Sequence, residues 1–243
     1  VAEDREPGES IGGKVQQIAG IDGCQSLWLA IAHVPGSTSF VAQLLATSEL
    51  PTQPWTLAAI DIPIGLPDSG AREADGAARK LIGPRASSVF PCPIRPALDA
   101  TSWQEACAIT YRHNGHRISK QTFAILPKIR AVDECVRSTD LRQRLFEIHP
   151  EVSFASWQGA PILYAKKDVR GQEQRRALIA GHFGPEAFAS VVAQISARSV
   201  AADDIADAFA ALWSAERLFA GTAQRLPSVS AIDSYGLPMH IWY

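Results

Sequence analysis

Apolar and polar positions follow two regimes along this chain. The first is short-period. Residues 17–34, "QIAGIDGCQSLWLAIAHV", hold two apolar runs, 18–21 and 27–32, on either side of an Asp22-Gly23 pair. Two such runs joined by Asp-Gly predict a β-hairpin. "TSFVAQLLAT" (38–47) predicts a third strand, and "SELPTQP" a loop or a single helical turn. "TLAAIDIP" (56–63) is apolar enough for a fourth, central strand covered on both faces.

The second regime is helical. "READGAARKLIG" (72–83) predicts a helix stopped by Gly83, and the Pro-rich "PRASSVFPCPIRPALD" a loop. Helical patterns follow at 102–113 and 119–137. "RLFEIHPEVSF" (144–154) predicts a fifth strand interrupted by Pro150, and 172–184 and 185–196 predict helices. The strongest helix is 203–221, with Ile205, Phe209, Leu212, Trp213 and Leu218 on its apolar face and Gly221 at its end. Strands first, then a long helical stretch, a further strand and a terminal helix predict an α/β fold with a mixed sheet flanked by helices.

The 243 residues suit one large domain, with 1–17 a polar, acidic tail and 18–243 the folded unit. A composition 47% hydrophobic and 20% charged supports an ample core, and a net charge of -2 carries no global signal for nucleic acid or membrane. Cys24, Cys92, Cys107 and Cys135 form no CxxC pair, which argues against a zinc ribbon or thioredoxin-like site. Reduced cysteines, no secretory signal and no long apolar run lead to the expectation of a cytoplasmic protein without a membrane span.

One residue violates the apolar pattern. Asp61 interrupts "LAAIDIPIG", and a charge placed there needs a partner or a role. Asp22 ends the first strand. If strands one and four are parallel neighbours, both acids reach the carboxyl edge of the sheet, where open α/β sheets place their sites. Asp204 and Asp207 are three residues apart at the start of the last helix and share a face. Grouped carboxylates repel and require a cation, and hard divalent ions such as Mg²⁺ or Mn²⁺ take oxygen ligands. Two such ions can activate a water and stabilise a leaving oxygen in phosphodiester hydrolysis. Each acid also has a plainer reading: Asp22 as a turn residue, Asp203 or Asp204 as a helix cap, Asp207 as a solvated helix position.

"GIDGCQSLWLA", "AIDIPIGLPD", "SSVFP", "EIHPEVSF", "KKDVRGQEQRRALI" and "DDIADAFAALWSA" resemble, in order, the motifs of domain of unknown function 429, a family of predicted RNase H-like nucleases. The resemblance runs from about 18 to 243. It implies an RNase H-like sheet of five strands in order 3-2-1-4-5, with strand 2 antiparallel. It also implies that Asp22, Asp61, Asp204 and Asp207 are the catalytic, metal-holding acids of a nuclease. The helix between strands 3 and 4 is very short here and the segment between strands 4 and 5 long, which predicts a helical insertion over about 72–143 and a reshaped substrate groove.

Further residues join the picture. Glu147, His149 and Glu151 alternate along "EIHPE"; Glu147 or Glu151 can add a metal ligand or general base, while His149 suits a structural role as well. "SSVFPCPIR" (87–95) is expected to cover the site with Arg95 toward substrate, and Ser119 and Gln121 to supply polar contacts. Between 112 and 176, thirteen basic residues face seven acids, a surplus that suits a phosphate-bearing partner such as nucleic acid or a solvated helical surface. Lys166 and Lys167 are the expected phosphate contacts. Two other functions stay open: a binding or regulatory module that keeps the fold without catalysis, and a phosphotransferase of the actin and sugar-kinase type, whose phosphate loop "IDGCQSLW" loosely resembles.

Overall fold

A computed structural model describes residues 16–195 and 200–243. The expected tail at 1–17 therefore falls almost wholly outside the described residues. Strands β1 (Ile18–Cys24), β2 (Leu27–His33) and β3 (Val41–Leu45) form an antiparallel meander. β4 (Leu57–Ile60) adds parallel to β1, and β5 (Leu145–Glu147) parallel to β4. The resulting five-stranded mixed sheet has the order β3-β2-β1-β4-β5 with β2 antiparallel to the rest, as the sequence led us to expect.

Eight α-helices are described: α1 (Glu73–Ile82), α2 (Trp103–Asn114), α3 (Lys120–Ser138), α4 (Leu141–Arg144), α5 (Pro150–Gln158), α6 (Val169–Phe183), α7 (Ala187–Gln194) and α8 (Ala202–Phe219). The first four lie between β4 and β5. α3 packs on the sheet face that carries Ala19, Ile21, Trp28 and Ala30, and buries Leu126, Ile129, Val132 and Val136 there. α8 covers the opposite face, where Phe209 and Leu212 meet Ile18, Leu29 and Ile31. Along β1 the two-residue alternation thus sends 19 and 21 to one side and 18, 20, 22 and 24 to the other.

Several elements differ from their sequence reading, for local reasons. The hairpin turns at Gln25-Ser26, with Gln25 at φ 49°, and not at Asp22-Gly23. Asp22 is a strand residue opposite Leu29, because the ladder continues to the Cys24–Leu27 pair. The run after Glu147 does not continue as a strand. Pro150, with φ preset for a helix, sits in the first turn of α5, so the proline begins an element that it was expected to interrupt. α3 runs through Pro127 without a break in its assigned span. A second, two-stranded sheet of β6 (Arg225–Leu226) and β7 (Ile241–Trp242) escaped the sequence reading, as two-residue strands carry no periodicity. Among the described residues no helix is long and apolar enough to cross a membrane.

The contact that places α8 is a backbone approach. A Cβ on Gly20 would stand 2.1 Å from the Leu212 nitrogen and 2.3 Å from the Ala208 oxygen. Only a residue without a side chain fits between sheet and helix at this point. Gly20→Ala is therefore expected to destabilise by about 3 kcal/mol, the upper end of overpacking costs, in urea denaturation monitored by circular dichroism.

At the far end of α8, Glu216 joins helix to sheet through His33 (Nε2 3.0 Å) and to α6 through His182 (Nε2 2.5 Å). Burial alone would raise this carboxyl, but the hydrogen bonds from the two histidines hold it down at about 2. Its ordinary value is 4.5, so the carboxylate contributes stability above that pH and loses it as pH falls toward 2. Glu216→Gln should flatten the stability profile in that window by roughly 2 kcal/mol, allowing for solvent screening.

Candidate active site

Strand register brings the first two acids together. Ile21 is level with Ile60, and the Asp61 N–H donates to the Ile21 carbonyl at 3.1 Å. Asp22 and Asp61 thus leave the carboxyl ends of two adjacent parallel strands. The Gly20 contact then sets the third. With Ala208 and Leu212 seated over Gly20, the preceding turn of α8 delivers Asp207 and Asp204 above Asp22. Asp22, Asp61, Asp204 and Asp207 all line one cleft of about 730 Å³.

The electrostatics record this convergence. Burial, followed by the Asp207 and Asp61 carboxylates, pushes Asp22 well above the ordinary range, against the pull of Lys166. Asp61 is raised by burial, while His149 and Lys166 oppose. Burial raises Asp207 to about 6, although Lys166 pulls it down. Lys166 Nζ lies 2.8 Å from Asp207 and 3.5 Å from Asp203. Burial works against its charge, but Asp207 and Asp22 hold it above the usual lysine range.

Asp204 has a second duty. It accepts the Ala201 N–H at 3.2 Å and bonds the Cys24 thiol. It thus closes the helix N-terminus from the third position of α8; the N-cap itself is Ala201, not Asp203 or Asp204 as the plainer reading had it.

Cations stand around the acids. Lys128 Nζ donates to the Leu27 carbonyl at 2.8 Å and lies 4.5 Å from the Trp28 ring centroid. Burial lowers its pKa, and Asp22 works the other way. Arg85 lies 3.7 Å from Glu151, and its Nε is buried without a hydrogen-bond partner. His149 Nε2 lies 3.3 Å from the Ser88 carbonyl, which makes that nitrogen the donor, and Nδ1 is buried without a partner. Of these, His149 was singled out in the sequence; Lys128 and Arg85 were not, since nothing in their local pattern separates them from surface cations.

Glu147 lines the cleft, yet both its oxygens are engaged. Arg72 grips it in a fork, with Nη2 2.6 Å from Oε1 and Nη1 2.7 Å from Oε2, and the Ile64 N–H donates to Oε2 at 2.7 Å. Arg72 also donates to Asp75 Oδ1 at 2.7 and 2.9 Å, and Asp75 Oδ2 accepts the Cys92 N–H. Burial pushes the Glu147 carboxyl up to about 7, opposed by Arg72 and the Ile64 N–H. This network, which the sequence reading missed apart from Glu147, ties α1 to β5 and to the exit of β4. Glu151 is likewise occupied, 2.6 Å from Arg175.

The remaining sequence candidates lie elsewhere. Ser88, Val89 and Phe90 line the cleft, so the 87–95 segment reaches it, but Arg95 turns away. Its guanidinium bonds Asp133 at 3.0 Å and Asp233, and stacks on Tyr235 at 4.5 Å. Ser119 caps α3 by accepting the Thr122 N–H at 3.0 Å, and Gln121 is exposed in the same first turn. Lys167 is exposed beside Lys166.

The donor set is all carboxylate oxygen, the chemistry that Mg²⁺ or Mn²⁺ prefers. Among the described residues, however, no group of three or more His, Cys, Asp or Glu side chains is arranged to hold one ion as it stands. The positive charge among the acids is supplied by Lys166. A metal bound through Asp207 Oδ2 would have to displace that ammonium.

The buried fork predicts a large effect. Arg72→Met leaves Glu147 and Asp75 buried without their cation and should cost about 3–5 kcal/mol in urea unfolding. Adding Glu147→Gln to that variant should recover part of the loss.

No curated protein and no solved structure matches the chain significantly. The model of the family described as "Protein of unknown function (DUF429)" matches residues 20–231, and this chain belongs to that family.

Proposed function

We propose that this protein is an RNase H-like, divalent-metal-dependent nuclease that hydrolyses phosphodiester bonds. One observation carries the reading: Asp22, Asp61 and Asp207 converge from two parallel strand ends and one helix start, where the Asp207 and Asp61 carboxylates add to burial in raising Asp22. Such a cluster gains most from a cation. A bound Mg²⁺ or Mn²⁺ would supply Lewis-acid activation of the phosphoryl group and of a water.

The chain's own residues complete the site. Asp22 and Asp61 hold the floor, and Asp207 closes it from α8. Lys166 keeps Asp207 ionised and is within reach of a phosphate once released from it. His149, with Nδ1 uncommitted next to Asp61, is placed to accept or return a proton. Arg85 and Lys128, both in the cleft lining, offer charge to the flanking phosphates.

The Lys166–Asp207 pair favours one alternative, a module that binds its partner without catalysis, its internal ammonium standing where a metal would otherwise be needed. Calorimetry with Mn²⁺ separates the two: binding that is lost in Asp22→Asn supports the nuclease, and no binding supports the module. For activity, a panel of single-stranded, duplex, hybrid and junction substrates with Mn²⁺ is the direct assay. Cleavage of at least one is expected, abolished by chelation and reduced at least roughly a hundredfold by Asp61→Asn, the loss of about 2.7 kcal/mol at the transition state. No cleavage of any substrate, or cleavage unchanged in Asp61→Asn, would sink the proposal.

A further inference from the structure

A second cavity of about 730 Å³ lies on the other side of the Arg72–Asp75 pair, which lines both it and the acidic cleft. Its chemistry differs from that of the cleft. Lys80 and Arg117 are exposed on its lining, and neither side chain has an ion pair or hydrogen bond among the described residues. His116 stands next to Arg117. Asp75 is consumed by Arg72 and the Cys92 N–H, so Glu73 is the one uncommitted acid of the lining against these cations. Pro91, Pro93, Ile94 and Ile118 supply apolar lining.

A buried polar group in the cavity wall is left over. Thr110 is 4% exposed and lines the cavity, and its Oγ1 has no hydrogen-bond partner. A helical threonine commonly bonds the carbonyl one turn back, but this hydroxyl does not. A buried hydroxyl without a partner is costly and marks a place where a ligand atom would be stabilised. Surplus positive charge, apolar lining, an orphan hydroxyl and a volume within the small-molecule range together define a ligand.

We infer that this cavity is a binding site for a nucleoside phosphate, with the phosphate between Lys80 and Arg117, the base against the proline and isoleucine surface, and a polar edge of the ligand at Thr110. A free mononucleotide and the phosphorylated end of an oligonucleotide share this chemistry. The inference does not depend on the nuclease reading, because it concerns a separate cavity and needs no metal.

Calorimetry on the full chain, with chelator present, tests it. The probes are AMP, GMP, CMP and UMP, a 5′-phosphorylated tetranucleotide, and the unphosphorylated nucleosides. At least one phosphorylated probe should bind, with its unphosphorylated counterpart at least about tenfold weaker. Binding of the tetranucleotide alone identifies a strand end as the ligand, and binding of a mononucleotide a free nucleotide. Combined Lys80→Glu and Arg117→Glu, both at exposed positions, should weaken binding at least roughly tenfold, and the near-isosteric Thr110→Val should weaken it several-fold. Asp61→Asn should leave it unchanged. Absence of binding by every probe, indifference to the Lys80 and Arg117 changes, or loss in Asp61→Asn would overturn the assignment; a nuclease assay without product would leave it standing.

Discussion

The position of α8 over β1 rests on Gly20. The helix backbone at Ala208 and Leu212 sits where a side chain on residue 20 would be, so the separation of helix and sheet is set by main chain on both sides. Such a contact leaves little room for sliding, because interiors are close-packed and the helix cannot move along the strand without meeting the neighbouring side chains. Everything at the candidate site inherits this register. One turn before Ala208 lies Asp204, and immediately before Ala208 lies Asp207; both are carried to the end of β1 beside Asp22. A small residue in a strand thereby determines how closely two carboxylates approach.

A second constraint holds the other wall. The 84 residues between β4 and β5 must return the chain to the sheet edge, and the Arg72 fork is where they are fastened. Arg72 meets Glu147 at the end of β5, Asp75 in the first turn of α1 and, through Glu147, the Ile64 N–H after β4. A buried guanidinium with both forks of its partners filled is strong only while every member is present. It lines two cavities of different character, one in which acids outnumber cations and one in which cations outnumber acids. The insertion is therefore more than a surface addition, since it supplies the partition between them.

The four acids were legible for a reason that can be stated residue by residue. Asp61 stood out because a charge in an apolar strand violates burial, and Asp204 and Asp207 because three-residue spacing on a helix is a geometric statement. The strand order followed from a resemblance spread over the chain. Arg72, Arg85 and Lys128 were not legible. A basic residue in a helix or a loop reads the same whether it ends in water or under a sheet, and its partner can lie 75 positions away, as Glu147 does from Arg72. Arg95 failed in the opposite direction: its place in a loop near the site suggested substrate, whereas Asp133 and Asp233 from distant segments claim it.

By itself the sequence determined the α/β class, the strands and major helices, and the presence of acids at two strand ends and one helix start, because these depend on periodicity and on local rules of burial and capping. Only the tertiary structure decided that Asp22 belongs to a strand and not to its turn, that Pro150 begins a helix, and that Glu147 is spoken for by Arg72 while Lys166 supplies the charge among the acids. The physical reason is common to all of these. Backbone periodicity is written in neighbouring residues, but the pairing of buried charges depends on which distant segments the packed core brings within hydrogen-bond range.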